Sequence, residues 1–411
     1  MPTELITPTS STPRHTSSRG WWAVSAVTLA LFAIVTTEIL PIGLLTPIGA
    51  EFGVADGTAG LMMTMPGLLA AVAAPTVTLA TARVDRRLML CALVLLLAVA
   101  NFLTAAATAY WLVLVARVLV GITIGGFWSI GVGLAGRLVG PASAGRATAV
   151  VFAAVPLGSV LGVPAGTFIG DLAGWRAAFV AMGLLSTCAL ALLLLTLPAL
   201  SPAAVTRPSV LRALLRGTGT RYALLMTFLI IMAHFATYTY VTPFLRQITG
   251  TDPAQITGYL LIYGAAGVAG NFIGGALVTR APRLAFGTAA ATIAAATALL
   301  PAPGRTDAGA LALLIVWGLG YGAVPVCSQT WFARAAPQAP EAATVLFTAS
   351  FQATLAAGAL TGGAIVDHTS LRAVMWCGAG VAGVVVAVTA AARQDELPGT
   401  AEGRRFRARA L

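Results

Sequence analysis

Three titratable side chains stand in otherwise apolar sequence: Glu38 in T-T-E-I-L-P, Arg117 in V-A-R-V-L-V-G and His234 in M-A-H-F-A-T-Y. A carboxyl or guanidinium held away from water is costly unless it pairs, lines a polar cavity or trades a proton. A buried carboxyl whose proton affinity changes as a cation approaches or withdraws is a route to proton coupling. A permanent buried ion pair between helices is the other reading of Glu38 and Arg117. By helical rise Glu38 lies roughly 20 Å from Glu51 along its helix, and Arg117 about 10 Å from the start of its own, which puts both at one depth. His234 titrates near neutrality in its ordinary state; it carries a proton, binds a ligand or sits as a satisfied core histidine. Tyr238 follows one turn later on the same face.

The elements that must position these groups are membrane-spanning helices. The chain has 411 residues, 58% of them hydrophobic and only 9% charged, against about 25% charged in a soluble domain. Uncharged apolar runs recur from residue 21 to 392, and a run of roughly 20 residues crosses a bilayer once as a helix. The short alternating segments of a β-barrel are absent. The pattern predicts an all-α membrane protein with spans near 22–47, 58–80, 88–108, 110–136, 146–169, 177–198, 221–245, 255–278, 284–302, 309–333, 341–366 and 371–392.

Every basic residue is arginine. With these spans nineteen arginines fall on one side, and Arg176, Arg246, Arg305 and Arg372 on the other, with Arg117 inside the membrane. Because basic loops stay in the cytoplasm, both termini are expected there. The net charge of +11 is therefore topological; no basic face implies a nucleic-acid partner. The four cysteines are scattered singly and suggest neither a metal site nor a disulfide framework. A chain without lysine has no Walker-type phosphate loop, and nothing calls for a cofactor. Nor do three histidines far apart in sequence suggest an enzyme. The expected organisation is a polar tail over residues 1–20, a six-helix bundle over 21–198, a proline- and arginine-bearing cytoplasmic linker over 199–220, a second bundle over 221–393 and a tail over 394–411.

The halves repeat. At a shift of 197 residues Arg83, Arg86, Gly121, Gly125 and Arg137 match Arg280, Arg283, Gly318, Gly322 and Arg334. At 196, Gly162, Gly166, Asp171 and Arg176 match Gly358, Gly362, Asp367 and Arg372. Two like halves in one orientation imply a pseudo-two-fold axis along the membrane normal, a substrate site between them and alternating access by rocking. Arg117 has no counterpart, because Leu314 occupies its place in the second half, so ion coupling is expected in the first half.

Several motifs carry a family resemblance. They are Arg117-x-x-x-Gly121-x-x-x-Gly125 in the fourth span and Gly158-x-x-x-Gly162-Val-Pro164-x-Gly166 in the fifth, then Gly174-Trp175-Arg176, with T-T-E-I-L-P-I-G-L-L at 36–45, G-G-F-W-S at 125–129 and H-F-A-T-Y-T-Y at 234–240. Over nearly all of residues 20–395 the chain resembles a major facilitator superfamily transporter of the drug:proton antiporter branch. It is similar to bacterial sugar, nucleoside and chloramphenicol effluxers, including purine-ribonucleoside exporters. The resemblance implies twelve helices in two pseudo-symmetric six-helix bundles, a monomer and export of a small molecule against protons, while the absence of lysine beside abundant alanine, glycine and arginine points to a GC-rich bacterial genome and hence an inner membrane. It also implies that Gly158, Gly162, Pro164 and Gly166 form an antiporter motif, and that Asp85, Arg86 and Arg87 belong to a cytoplasmic gating loop, here without the family's glycines.

Trp128, Tyr238, Asn271, Tyr321 and Phe351, with Trp317, Gln329 and Gln352, offer aromatic and amide groups within spans. Such walls suit partly apolar, neutral or weakly polar ligands, although helix packing uses the same residues. The glycines at spacings of four in span five make a ridge for close helix contact, and Pro164 interrupts its hydrogen bonding. Proton symport or facilitated uptake is the alternative to export.

Overall fold

The computed structural model describes residues 18–80, 84–130, 134–139, 143–200, 214–335 and 340–391. The expected tails lie almost wholly outside the described residues, as do Arg83 and most of the linker. Eleven helices among the described residues are long and apolar enough to cross a membrane. A further helix, Pro282–Leu299, opens on Pro282 and Arg283 and is rich in alanine and threonine, which dilutes its apolar character. Its packing nevertheless marks it as the ninth span. It lies against Asp307–Ala335 and Leu371–Ala391, as Arg86–Ala105 lies against Tyr110–Ile130 and Trp175–Thr196.

That correspondence runs through the whole molecule. Ser18–Ile39 packs on Ala144–Ala173, and Leu61–Ala80 on Tyr110–Ile130. In the second half Thr218–Tyr238 packs on Pro340–His368, and Pro253–Arg280 on Asp307–Ala335. The sequence repeat is a repeat of contacts. Gly121 backs onto the carbonyl of Pro66 and Gly125 onto that of Ala70; 197 residues later Gly318 backs onto the carbonyl of Tyr263 and Gly322 onto that of Gly267. At each point a side chain would collide with backbone, so the helices approach as closely as glycine permits. Likewise Arg87 Nη2 donates to the Leu194 carbonyl at 2.7 Å, and 196 residues later Arg283 Nη2 donates to the carbonyls of Thr389 and Ala390 at 2.7 and 3.3 Å.

The halves meet along two helix pairs that the pseudo-two-fold exchanges: Leu61–Ala80 with Pro340–His368, and Ala144–Ala173 with Pro253–Arg280. The outer surface of the helices is apolar, with Leu172, Leu195 and Phe272 each more than 70% exposed, as a lipid-facing surface requires.

The boundaries differ from the sequence reading at two places that matter. The first span is Ser18–Ile39, interrupted at Leu40 and continued by Pro41–Phe52. The seventh ends at Tyr238, and the chain proceeds through the short helix Val241–Phe244, which contains Pro243, and a π-helical turn, Leu245–Thr249.

Candidate functional site

The interruption of the first span organises the titratable groups. In an α-helix the carbonyl of residue i accepts from the N–H of residue i+4, and proline has no N–H to give. Pro41 therefore leaves the Thr37 carbonyl without its helical donor, and Pro66 does the same to Met62. Arg117, fully buried, supplies both. Its Nη2 donates to the Thr37 carbonyl at 2.8 Å and to that of Glu38 at 3.4 Å, and its Nε donates to the Met62 carbonyl at 3.2 Å. One guanidinium thus joins the first, second and fourth spans.

Glu38 and Arg117 are neighbours without a direct ion pair among the described residues: the guanidinium addresses the backbone of the residue that carries the carboxylate. The Glu38 carboxylate instead reaches the other half of the molecule. Its Oε1 accepts from Gln352 Nε2 at 2.8 Å, with Glu38 7% and Gln352 4% exposed. Gln352 Oε1 and Arg117 Nη1 are buried without hydrogen-bond partners. The carboxylate and the amide that holds it thus belong to different halves.

The second half contributes an aromatic cluster built on His234. The imidazole stacks on Tyr321 at 3.4 Å between ring centroids and 6° between planes, with Tyr238 stacked at 5.1 Å on another side. Trp317 Nε1 donates to His234 Nδ1 at 3.2 Å. Tyr263 stacks on Tyr238 at 4.7 Å, and Phe235 connects Tyr321 edge-on to Phe351. His234 Nε2 and the Tyr263 hydroxyl are buried without hydrogen-bond partners. The rings are packed on one another, and these two buried polar atoms are left for a further partner. The sequence reading missed Tyr263. A signal for it exists, since Tyr263, Gly267, Gly270 and Gly274 recur on one helix face, and the glycines of that face meet span ten.

Among the described residues, further hydrogen bonds between the halves gather at the arginine-poor end. Asp367 accepts from the Gly57 N–H at 2.7 Å and from Thr58 Oγ1 at 3.2 Å. Gln247 Nε2 donates to Asp56 at 2.7 Å, and the buried Tyr240 hydroxyl, which donates to the Ala359 carbonyl of its own half at 2.8 Å, also reaches the Gly57 carbonyl across the seam at 3.4 Å. Thr257 Oγ1 donates to Thr167 Oγ1 at 2.7 Å. Gly57 and Gly363 allow this seam, because a side chain at either would collide with the other's carbonyl.

Residues 27–345 match the sequence model of the Major Facilitator Superfamily. The chain belongs to that superfamily. Among its relatives, the protein named transcription regulatory protein OpdE of Pseudomonas aeruginosa is 32% identical over 406 residues, covering 97% of this chain and 100% of that protein. The purine ribonucleoside efflux pump NepI of Salmonella paratyphi A is 29% identical over 351 residues, covering 85% of this chain and 88% of that one. Crystal structures of a bacterial homolog of the human lysosomal transporter Spinster, inward-facing, superpose with a TM-score of 0.75 when occupied and 0.72 when unoccupied, at 16% and 17% identity. They cover 93% and 92% of this chain, and 99% and 96% of theirs. The chain is thus a multi-pass membrane transporter of the major facilitator fold.

Within this superfamily frame, the span-five glycines face the break in span one. A side chain at Gly158 would meet Val35 at 2.9 Å, one at Gly162 Ile39 at 2.7 Å and one at Gly166 the Leu40 carbonyl at 3.0 Å. Pro164 lies inside the continuous helix Ala144–Ala173. The ridge therefore holds the segment that bears Glu38. Asp85 caps the third span, its Oδ1 accepting from the N–H groups of Arg87 and Leu88, and its Oδ2 accepts from the Leu200 N–H at 2.9 Å. The Arg86 N–H donates to the Leu200 carbonyl at 3.0 Å. With the Arg87 bond to Leu194, these contacts tie spans three and six within the first half. Trp128 is half-buried near Phe152, 6.4 Å between centroids, in the first half. Asn271 is half-buried beside Gly270, which backs onto the Leu319 carbonyl. Neither joins the His234 cluster, whereas Tyr238, Tyr321 and Phe351 do.

Proposed function

We propose that this transporter exports a small neutral solute, a nucleoside or a related sugar- or drug-like molecule, across the bacterial inner membrane in exchange for protons. Glu38 is the proton carrier in this reading, Arg117 and His234 shape the polar pathway, and the aromatic wall of the second half binds the ring of the solute. The protein works as a monomer by alternating access with both termini in the cytoplasm. The observation that carries the reading is the Glu38–Gln352 hydrogen bond, a titratable group of one half held by the other. When the halves rock apart the carboxyl exchanges that amide for water, and its proton affinity changes with the conformation. The efflux named for NepI and the stacked rings around His234 support the nucleoside class.

The test is uptake of radiolabelled inosine, with chloramphenicol and glucose as comparison solutes, into inside-out vesicles under an imposed pH gradient. Accumulation driven by an acidic lumen is expected, together with its loss in Glu38→Gln while inosine–inosine exchange persists. Proton symport would reverse the flux. A chain whose role is regulation, as the OpdE relative is named, would accumulate no solute. Either result, or undiminished gradient-driven uptake in Glu38→Gln, overturns the proposal.

A further inference from the structure

Arg117 has a second asymmetry beside its solitude. Of the two carbonyls it takes strongly, Thr37 lies four residues before Pro41 and Met62 four residues before Pro66. At a shift of 197 the second half has Tyr238 and Tyr263 where the first has Pro41 and Pro66, and Leu314, fully buried, where the first has Arg117. A shift of 196 at the first of these puts Thr237 there, which also carries an N–H. The half without the prolines has no carbonyls stranded at these positions, and it carries leucine. The arginine and both prolines are therefore present together in one half and replaced together in the other.

We infer that Arg117 is a positioning residue that replaces the two helical N–H donors which Pro41 and Pro66 lack, and so fixes the break of span one on which Glu38 is mounted. The guanidinium suits this task because its Nε and Nη2 point to different helices in a rigid fork, which an ammonium does not offer. A buried carbonyl left without a donor is destabilising, and two such groups on two helices would let Pro41–Phe52 and the second span shift against each other. The remaining nitrogen, Nη1, is buried without a partner, so the carbonyls take the whole of what the group donates. The inference goes beyond the transport reading, and its test measures folding rather than flux, so it stands or falls independently of the solute.

The experiment is a pair of double-mutant cycles read by thermal unfolding of the full chain in detergent. Arg117→Leu is introduced into the native protein, into Pro41→Ala/Pro66→Ala and into Glu38→Gln. In the native protein it lowers the unfolding midpoint. In the Pro41→Ala/Pro66→Ala chain the two backbone donors are restored and the guanidinium is a buried charge without these acceptors, so the same substitution is expected to be neutral or to raise the midpoint. In Glu38→Gln the loss is expected to remain at more than about half its native size, since the carboxylate is not the main partner. Arg117→Lys is expected to lose nearly as much as leucine. Should the double proline variant not fold, Pro41→Ala and Pro66→Ala taken singly each carry a cycle, with the loss expected to shrink in both. An equal loss with and without the prolines, a loss that vanishes in Glu38→Gln, or full rescue by lysine would each overturn the inference.

Discussion

The seam at the arginine-poor end makes a quantitative demand on Asp367. Its carboxylate takes the Gly57 N–H at 2.7 Å and the Thr58 hydroxyl at 3.2 Å. Both donors belong to the first half, and the Gly57 N–H, in the first turn of the short helix Asp56–Ala59, has no helical acceptor of its own. A hydrogen bond to a charged group contributes about 1.5–3 kcal/mol when buried. The bond to Gly57 is partly buried and that to Thr58 exposed, so the pair is discounted for screening to about 2 kcal/mol. Replacing Asp367 by alanine removes both from the closed arrangement, while the Tyr240 and Gln247 bonds remain. At 1.4 kcal/mol per decade the equilibrium shifts roughly 30-fold toward separation of the halves at this end. Thr167 reports on it: 5% exposed, it accepts from Thr257 of the other half. A Thr167→Cys reporter, in a chain lacking Cys91, Cys188, Cys327 and Cys377, should react with a membrane-impermeant maleimide in cells. Asp367→Ala should speed that labelling by roughly the factor given, and Thr58→Val by less. Labelling rates that agree within a factor of about two across the three proteins would refute the reasoning.

Two further outcomes follow from the packing. Gly322→Ala drives a methyl group into the Gly267 backbone and is expected to destabilise by about 1–3 kcal/mol or more, whereas Gly258→Ala, with nothing within 4 Å, should be neutral or mildly stabilising; thermal unfolding in detergent separates them. Past the apolar stretch of span one, at the exposed last turn of Pro41–Phe52, the Arg176 guanidinium and then the Trp175 N–H hold the Glu51 carboxyl below its ordinary range. A lowered folded-state pKa stabilises above the ordinary carboxylate range, and that contribution is lost as pH falls through the lowered value. Glu51→Gln should therefore lower the unfolding midpoint slightly at neutral pH, the pair being about 40% exposed, with the difference vanishing in acid.

Much of the architecture was legible before any coordinates. Apolar runs report spans because an uncharged helix of that length has no other stable surroundings. The ninth span is the case where composition falls short and only packing places it. The constant offset between halves was legible in Gly121 and Gly318 because close helix crossings tolerate no side chain. His234, Tyr238, Tyr321 and Phe351 were legible as polar or aromatic groups on helices, and the structure brings them together. Trp128 and Asn271 carried the same signal and lie apart, because residue type does not say which helix faces which. Gln352 was visible only as one amide among several, since the partner that matters to it is 314 residues away in the chain.

Burial cost and helical length act on each segment alone, so residue types and their spacing suffice to mark a helical membrane protein of two related halves with one carboxyl and one guanidinium at depth. How those groups meet depends on the way the helices pack. Pro41 and Pro66 strand two carbonyls on separate helices, Arg117 turns to them rather than to the Glu38 carboxylate, and Glu38 is left to bond across the interface. A hydrogen bond of 2.8 Å depends on where two helices cross, and no pattern within either helix contains that distance.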